Sequence, residues 1–158
     1  MVVKNDRILF LLIIVAVFGY LYIFGNIQKE NFAVSQVYFP TQNLSVTVAL
    51  ARTLEERGRG LSGQEGLLED SGMLFIFPTQ DRHTFWMKDM RFPLDIIWIN
   101  EEFKIVDIVI DASEKEPDKV YAPKENALFV LEVNAGFTKK FSIKIGDEVV
   151  FKQIVSTN

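Results

Sequence analysis

GMLFIFPTQDRHTFWMKDMRFPLDIIWI, residues 72–99, packs three apolar runs into one short stretch: Met73 to Phe77, Thr84 to Met87 and Leu94 to Ile99. Each has the length of a strand, and Pro78, a group of charged residues and Pro93 divide them. Short apolar runs bounded in this way predict strands, here the central ones of the fold. Working upstream, Ser45 to Ala51 alternates Val46, Val48 and Leu50 with small or polar residues, the period of two of a half-buried strand. Thr53-Leu54-Glu55-Glu56 then forms a capping box, in which Thr53 accepts from a backbone N–H and Glu56 reaches back. It predicts a short helix ending at Gly58 or Gly60.

Downstream, Asn100-Glu101 separates Ile99 from an apolar run over Phe103 to Ile110, which predicts a hairpin. Asp111 to Lys119 is acidic and turn-rich and reads as a solvated loop. Ala127 to Val133 and Asp147 to Ile154 predict two more strands. Sequential short strands with turns between them indicate a mainly β fold over 45–158, a compact antiparallel sandwich or partly closed barrel with one short helix. Residues 31–44, with Pro40, Thr41, Gln42 and Asn43, are expected to form a polar linker or a loosely docked first strand.

The first 30 residues differ in kind. Ile8 to Phe24 is a run of 17 residues without a charge, ending among Tyr20, Tyr22 and Phe24. As a helix it would be about 25 Å long, and it predicts a single transmembrane anchor. A cleaved leader would have an apolar region of only about 7–15 residues followed closely by small residues, so an uncleaved anchor is favoured. Lys4 and Arg7 precede the run, which puts the N-terminus inside and the folded domain outside the cytoplasmic membrane. The chain has no cysteine, which suits an exported domain and removes thiolate chemistry. Residues 31–158 carry 14 Lys and Arg against 19 Asp and Glu, a net charge of −5. That balance argues against nucleic acid as a partner, because binding rests on cations that neutralise phosphates.

The 72–99 stretch, taken with Arg57-Gly58-Arg59-Gly60-Leu61 and Val130-Leu131-Glu132-Val133-Asn134-Ala135-Gly136, resembles the DUF192 family, also called UPF0127. The resemblance covers approximately residues 45–152. It implies a mainly β fold with one short helix, and it brings no settled activity. Ser62 stands where members of the family often carry Met, and Asp89-Met90 where they carry Asn-Thr.

Four residues are candidates for ligand binding: Arg57, Trp86, Lys88 and Asp95. Phe85, Trp86 and Met87 can wall a sugar ring or another apolar-faced ligand while Arg57 and Lys88 grip an anionic group at the rim. The competing reading is that alternate side chains of this strand fill the core, as large aromatics do in small domains. Asp95 lies within Leu94-Asp95-Ile96-Ile97-Trp98-Ile99 and is costly to bury without a partner; Arg57 is the expected one. A structural role for Asp95 is favoured over that of a general base. His83 is the only histidine, no Gly-x-Ser-x-Gly elbow exists, and the acidic loop lacks the spacing of a calcium site. No catalytic set, metal site or cofactor is therefore expected.

Two function classes follow. The favoured one is a membrane-anchored, non-catalytic module that binds a small ligand, a saccharide or an envelope component. The alternative is an envelope-acting enzyme with Asp95, Arg57 and Lys88 as its polar centre. A titratable group with a strongly shifted pKa at the floor of a pocket would favour the enzyme.

Overall fold

The computed structural model describes residues 35–153. The expected membrane segment, Ile8 to Phe24, lies outside them, and no helix among the described residues is long and apolar enough to cross a membrane.

Among the described residues, nine strands and two short helices follow in chain order. They are β1 Ser35–Phe39, β2 Leu44–Ala51, α1 Leu54–Arg59, β3 Ser71–Asp81, β4 Phe85–Trp86, β5 Leu94–Ile99, β6 Ile105–Ala112, β7 Val120–Tyr121, β8 Ala127–Asn134, α2 Phe137–Lys140 and β9 Val150–Gln153. Seven strands form one sheet in the order β6-β5-β8-β3-β2-β1-β9, and β4 and β7 make a separate ribbon. The β2–β3 pair is parallel. Expected as wholly antiparallel, the sheet departs there because α1 carries the chain across between those two strands, as a parallel pair requires.

The sheet curls into a half-closed barrel. Its two ends approach each other where Ile105 N–H donates to Asp147 O at 2.9 Å and Val149 N–H donates to Phe103 O at 2.9 Å. Phe103, Phe129 and Phe151 pack over that seam, with ring centroids 4.8–5.6 Å apart. Inside the curl lie Val37, Phe39, Val48, Leu74, Ile97, Leu131 and Val133, drawn from strands all around the sheet. Alternate residues of the same strands, Phe75, Ile96, Trp98 and Val130, form a second apolar layer on the other face, shared with Leu61, Met87 and Tyr121 from the covering segments. Burial on both faces explains why β5 is buried along its whole length and, Asp95 apart, reads as an apolar run rather than an alternation.

The helix predicted from the capping box is α1. Thr53 Oγ1 accepts from Glu56 N–H at 3.1 Å, and the Glu56 carboxylate accepts from Thr53 N–H at 2.9 Å. Gly60 closes it at φ +50, a conformation that favours glycine, and its backbone packs against the Phe75 ring. Three further features differ from expectation. Thr84 to Met87, expected as a central strand, gives only the two-residue β4, which pairs with β7 outside the main sheet. Ser35–Phe39 is firmly docked: it pairs with β2 and with β9, and Val37 and Phe39 are fully buried. A second helix, α2, follows Gly136, too short for any periodicity to announce it.

Candidate functional site

On the outer face of the sheet, between α1 and the β4–β7 ribbon, lies a cavity of about 330 Å³. That is near the small end of the usual range for ligand pockets, about 300–1,000 Å³. Its walls are Phe75 and Phe77 of β3 and Phe85 of β4. Phe85 meets Phe75 edge-on at 4.9 Å and Phe77 at 6.4 Å, so the three rings hold one another in place. Leu54, Trp86 and Val120 line it and stay open to solvent, Trp86 by 56%. Arg57 and Arg59 line it from α1.

The sequence candidates separate into two groups. Arg57 and Trp86 line the cavity. Arg57 is largely occupied, its Nη1 donating to Ile76 O at 3.0 Å and to Arg52 O, with the guanidinium 5.0 Å from the Phe77 ring centre. It thereby ties α1 to β3. Lys88 sits beyond Trp86 with its ammonium 5.5 Å from the indole, exposed at the outer edge.

Asp95 is elsewhere, and the expected Arg57–Asp95 pair does not form. The Asp95 carboxylate is fully buried and accepts four hydrogen bonds: from Asp111 N–H at 2.9 Å, Gly136 N–H at 3.0 Å, Thr138 N–H at 2.9 Å and Thr138 Oγ1–H at 2.6 Å. Asp111 and Gly136 both have positive φ, which strains Asp111 but comes freely to glycine, so this carboxylate holds one strained turn, a glycine turn and the start of α2. Sheet register gives the reason for the separation. Asp95 stands opposite Val133, an inside residue, while the cavity is on the other face. Met87, expected in the ligand wall, is fully buried in the outer apolar layer, and His83 stacks on Phe77 with centroids 3.5 Å apart. Its Nε2 lies 3.0 Å from Thr79 O, a turn contact with no catalytic partner.

The residue that the sequence reading passed over is Glu132. It stands opposite Met73 on β3 and Ile96 on β5, is only 5% exposed and lines the cavity. No described residue gives its carboxyl a hydrogen bond or ion pair, and burial alone pushes its pKa from the ordinary 4.5 up to about 8. The other buried acids are all satisfied. Asp107 accepts from Ile108 N–H at 2.9 Å and Lys124 N–H at 2.8 Å; Asp147 accepts from Gln42 Nε2–H at 2.8 Å and Lys144 N–H at 3.0 Å. A signal existed in Val130-Leu131-Glu132-Val133, a carboxylate within an apolar run like that around Asp95. The two acids lie one register step apart on adjacent strands and therefore point to opposite faces.

Among the described residues no group of three or more His, Asp or Glu side chains is placed to hold a metal ion. The cavity can take an apolar-faced molecule with a polar group directed at Glu132.

The model of the DUF192 family, uncharacterized ACR, matches residues 19–151. The chain belongs to the DUF192 family. Among relatives, a UPF0127 protein of Thermococcus gammatolerans is 28% identical over 105 residues, 63% of this chain and 63% of the relative. A UPF0127 protein of Pyrococcus abyssi is 29% identical over 82 residues, 49% of this chain and 64% of the relative. The chain thus spans somewhat less than two thirds of these relatives' length. Two crystal structures share the fold. One, a Sinorhizobium meliloti protein provisionally named a transcription regulator, has a TM-score of 0.69 at 28% identity over 75% of this chain and 92% of its own. The other, a Novosphingobium aromaticivorans protein of unknown function, has a TM-score of 0.68 at 30% identity over 74% of this chain and 83% of its own.

Proposed function

We propose that this DUF192 domain is a small-ligand-binding module, carried on the outer side of the cytoplasmic membrane by the apolar segment Ile8 to Phe24. One observation carries the binding reading: Glu132, the buried acid without a partner among the described residues, lines a cavity walled by aromatic rings. Ligand sites combine apolar walls with a few convergent polar groups, and both parts are in place here. The ligand is an apolar-faced ring compound, such as a saccharide or another envelope component, bound between Phe75, Phe85 and Trp86. Gly58 lines the cavity and has nothing within 4 Å of where a Cβ would lie, so a side chain can start there and Gly58→Leu should narrow the cavity. A panel of sugars and envelope metabolites should raise the Tm of the wild type by mass action and leave Gly58→Leu unmoved. Equal shifts in both proteins would put the binding elsewhere.

The membrane reading rests on the charge-free run and its basic N-terminal flank. Alkaline phosphatase fused to the C-terminus should be active. An inactive phosphatase with a fluorescent green-protein fusion would place the domain inside.

A second reading, an envelope-acting acid–base enzyme, is favoured by the raised pKa of Glu132. Its proton carrier would be Glu132, since Asp95 faces the other side of the sheet with every hydrogen bond satisfied by the fold.

A further inference from the structure

The two ends of the cavity differ in charge, and that difference narrows the ligand. Arg59 lines the cavity from α1 with its side chain exposed, and Lys88 stands over Trp86 at the outer edge. Glu132 is the buried polar end, and apolar side chains surround it: Met73 and Phe75 from β3, Leu94, Ile96 and Trp98 from β5, Val130 from its own strand. The charged and titratable groups facing this side are Arg57 and Arg59 of α1, Tyr121 of β7 in the apolar layer, His83 stacked on the far side of the Phe77 wall, and Lys88 farther out. Arg57 is spent on backbone carbonyls, and the α1 acid Glu56 is turned to its own cap. No cation pairs with Glu132, so its carboxyl is held as the neutral acid, which donates one hydrogen bond and accepts another.

We propose that the cavity binds a small ring-faced organic anion, with Arg59 and Lys88 meeting the anionic group at the rim and the neutral carboxyl of Glu132 donating a hydrogen bond to an uncharged oxygen at the buried end. This rests on the small-ligand reading given above and specifies its ligand. The charge pattern disfavours the converse, an amine on an ionised Glu132, because the amine's entry would pass Arg59 and Lys88. Binding is linked to one proton. Above the pKa of Glu132 the ionised carboxylate can no longer donate and repels the anion, so affinity should fall about tenfold for each further pH unit.

The test is calorimetric titration of the full-length chain in mild detergent, from pH 6 to pH 9.5, with four probes: 4-hydroxyphenylacetate, tyramine, glucuronate and glucose. The first two share a ring and a hydroxyl and differ in the sign of the charged end; the last two make the same comparison for sugars, anionic against neutral. One or both anions should bind at pH 6–7 and weaken about tenfold per unit above pH 8. Which anion binds distinguishes an aromatic from a sugar-acid source. Glu132→Gln, which keeps a donor without a titrating proton, should retain binding and flatten the profile. Arg59→Gln should weaken the anion at every pH without moving the midpoint. Preference for tyramine, with loss in Glu132→Gln, would overturn the proposal in favour of an ion-paired amine. Glucose bound without pH dependence would overturn it while leaving the small-ligand reading intact, and silence from all four probes at millimolar concentration would overturn both. Should Glu132→Gln fail to fold, the wild-type pH profile and the Arg59→Gln variant still decide.

Discussion

Exchanging Glu132 for Gln should change how stability depends on pH, in a direction and a window set by the site. Burial raises the Glu132 carboxyl from 4.5 to about 8. Between those values the native state holds a proton that the unfolded chain has released. Stability therefore falls as pH rises through that window, by about 1.4 kcal/mol per pH unit. Below pH 4.5 both states are protonated and nothing is lost; above pH 8 both are ionised and the loss is complete, on the order of 5 kcal/mol at most. Glu132→Gln has no proton to release. It should resemble the wild type near pH 4.5 and exceed its stability by several kcal/mol at pH 8. Urea unfolding at half-unit steps from pH 4.5 to 9, with the slope of the wild type compared against that of the variant, isolates this residue from every other titrating group. Parallel profiles would show that water or a partner relieves the carboxyl, and the account of an unpaired buried acid would fail.

Four further substitutions test the frame around the site. Asp95→Asn should cost about 3 kcal/mol or more, because a buried carboxylate with four donors loses an acceptor oxygen, and Arg57→Leu should cost about 1–2 kcal/mol through its carbonyl contacts. In a denaturation cycle the two should add within about 0.5 kcal/mol, and a larger coupling would mean that they do communicate. A Cβ built at Gly72 lies 2.5 Å from the Glu132 carbonyl oxygen, so Gly72→Ala should destabilise by more than about 3 kcal/mol or prevent folding; a near-neutral melting temperature would contradict the β3–β8 register. Thr53→Ala should cost about 1 kcal/mol, read as a lowered urea midpoint, through loss of the α1 cap.

Local rules carried the sequence reading where the determinant is local. The capping box of Thr53 and Glu56, the apolar runs of β3 and β5, and the turn after Ile99 each depend on neighbours in the chain, and each formed where expected. What depends on pairing between distant strands was illegible. In Ser35–Phe39 only Val37 and Phe39 face the core, and besides its neighbour β2 the strand is held on its other edge by β9, more than a hundred residues away. Arg57 and Asp95 were matched on chemistry, yet a sheet with apolar layers on both faces has no rule in the sequence that says which face an acid in a fully buried strand will choose. The same gap concealed Glu132. Once the β5–β8 register is known, opposite faces for Asp95 and Glu132 follow without further information.

That register also bears on why Glu132 is there at all. Asp95, Asp107 and Asp147 each accept hydrogen bonds that hold a turn or join segments, so their burial is offset by what they organise. Glu132 organises nothing among the described residues. Its neighbours across the sheet, Met73 and Ile96, show that an apolar side chain suits this layer, and such a side chain would avoid the loss of stability above pH 4.5 altogether. A carboxyl that costs the fold several kcal/mol near neutral pH, stands among aromatic rings and lines the cavity makes physical sense when its hydrogen-bonding partner comes from outside the chain. Local departures of this kind, in which a position works against the stability of its own layer, are where function is expected to reside.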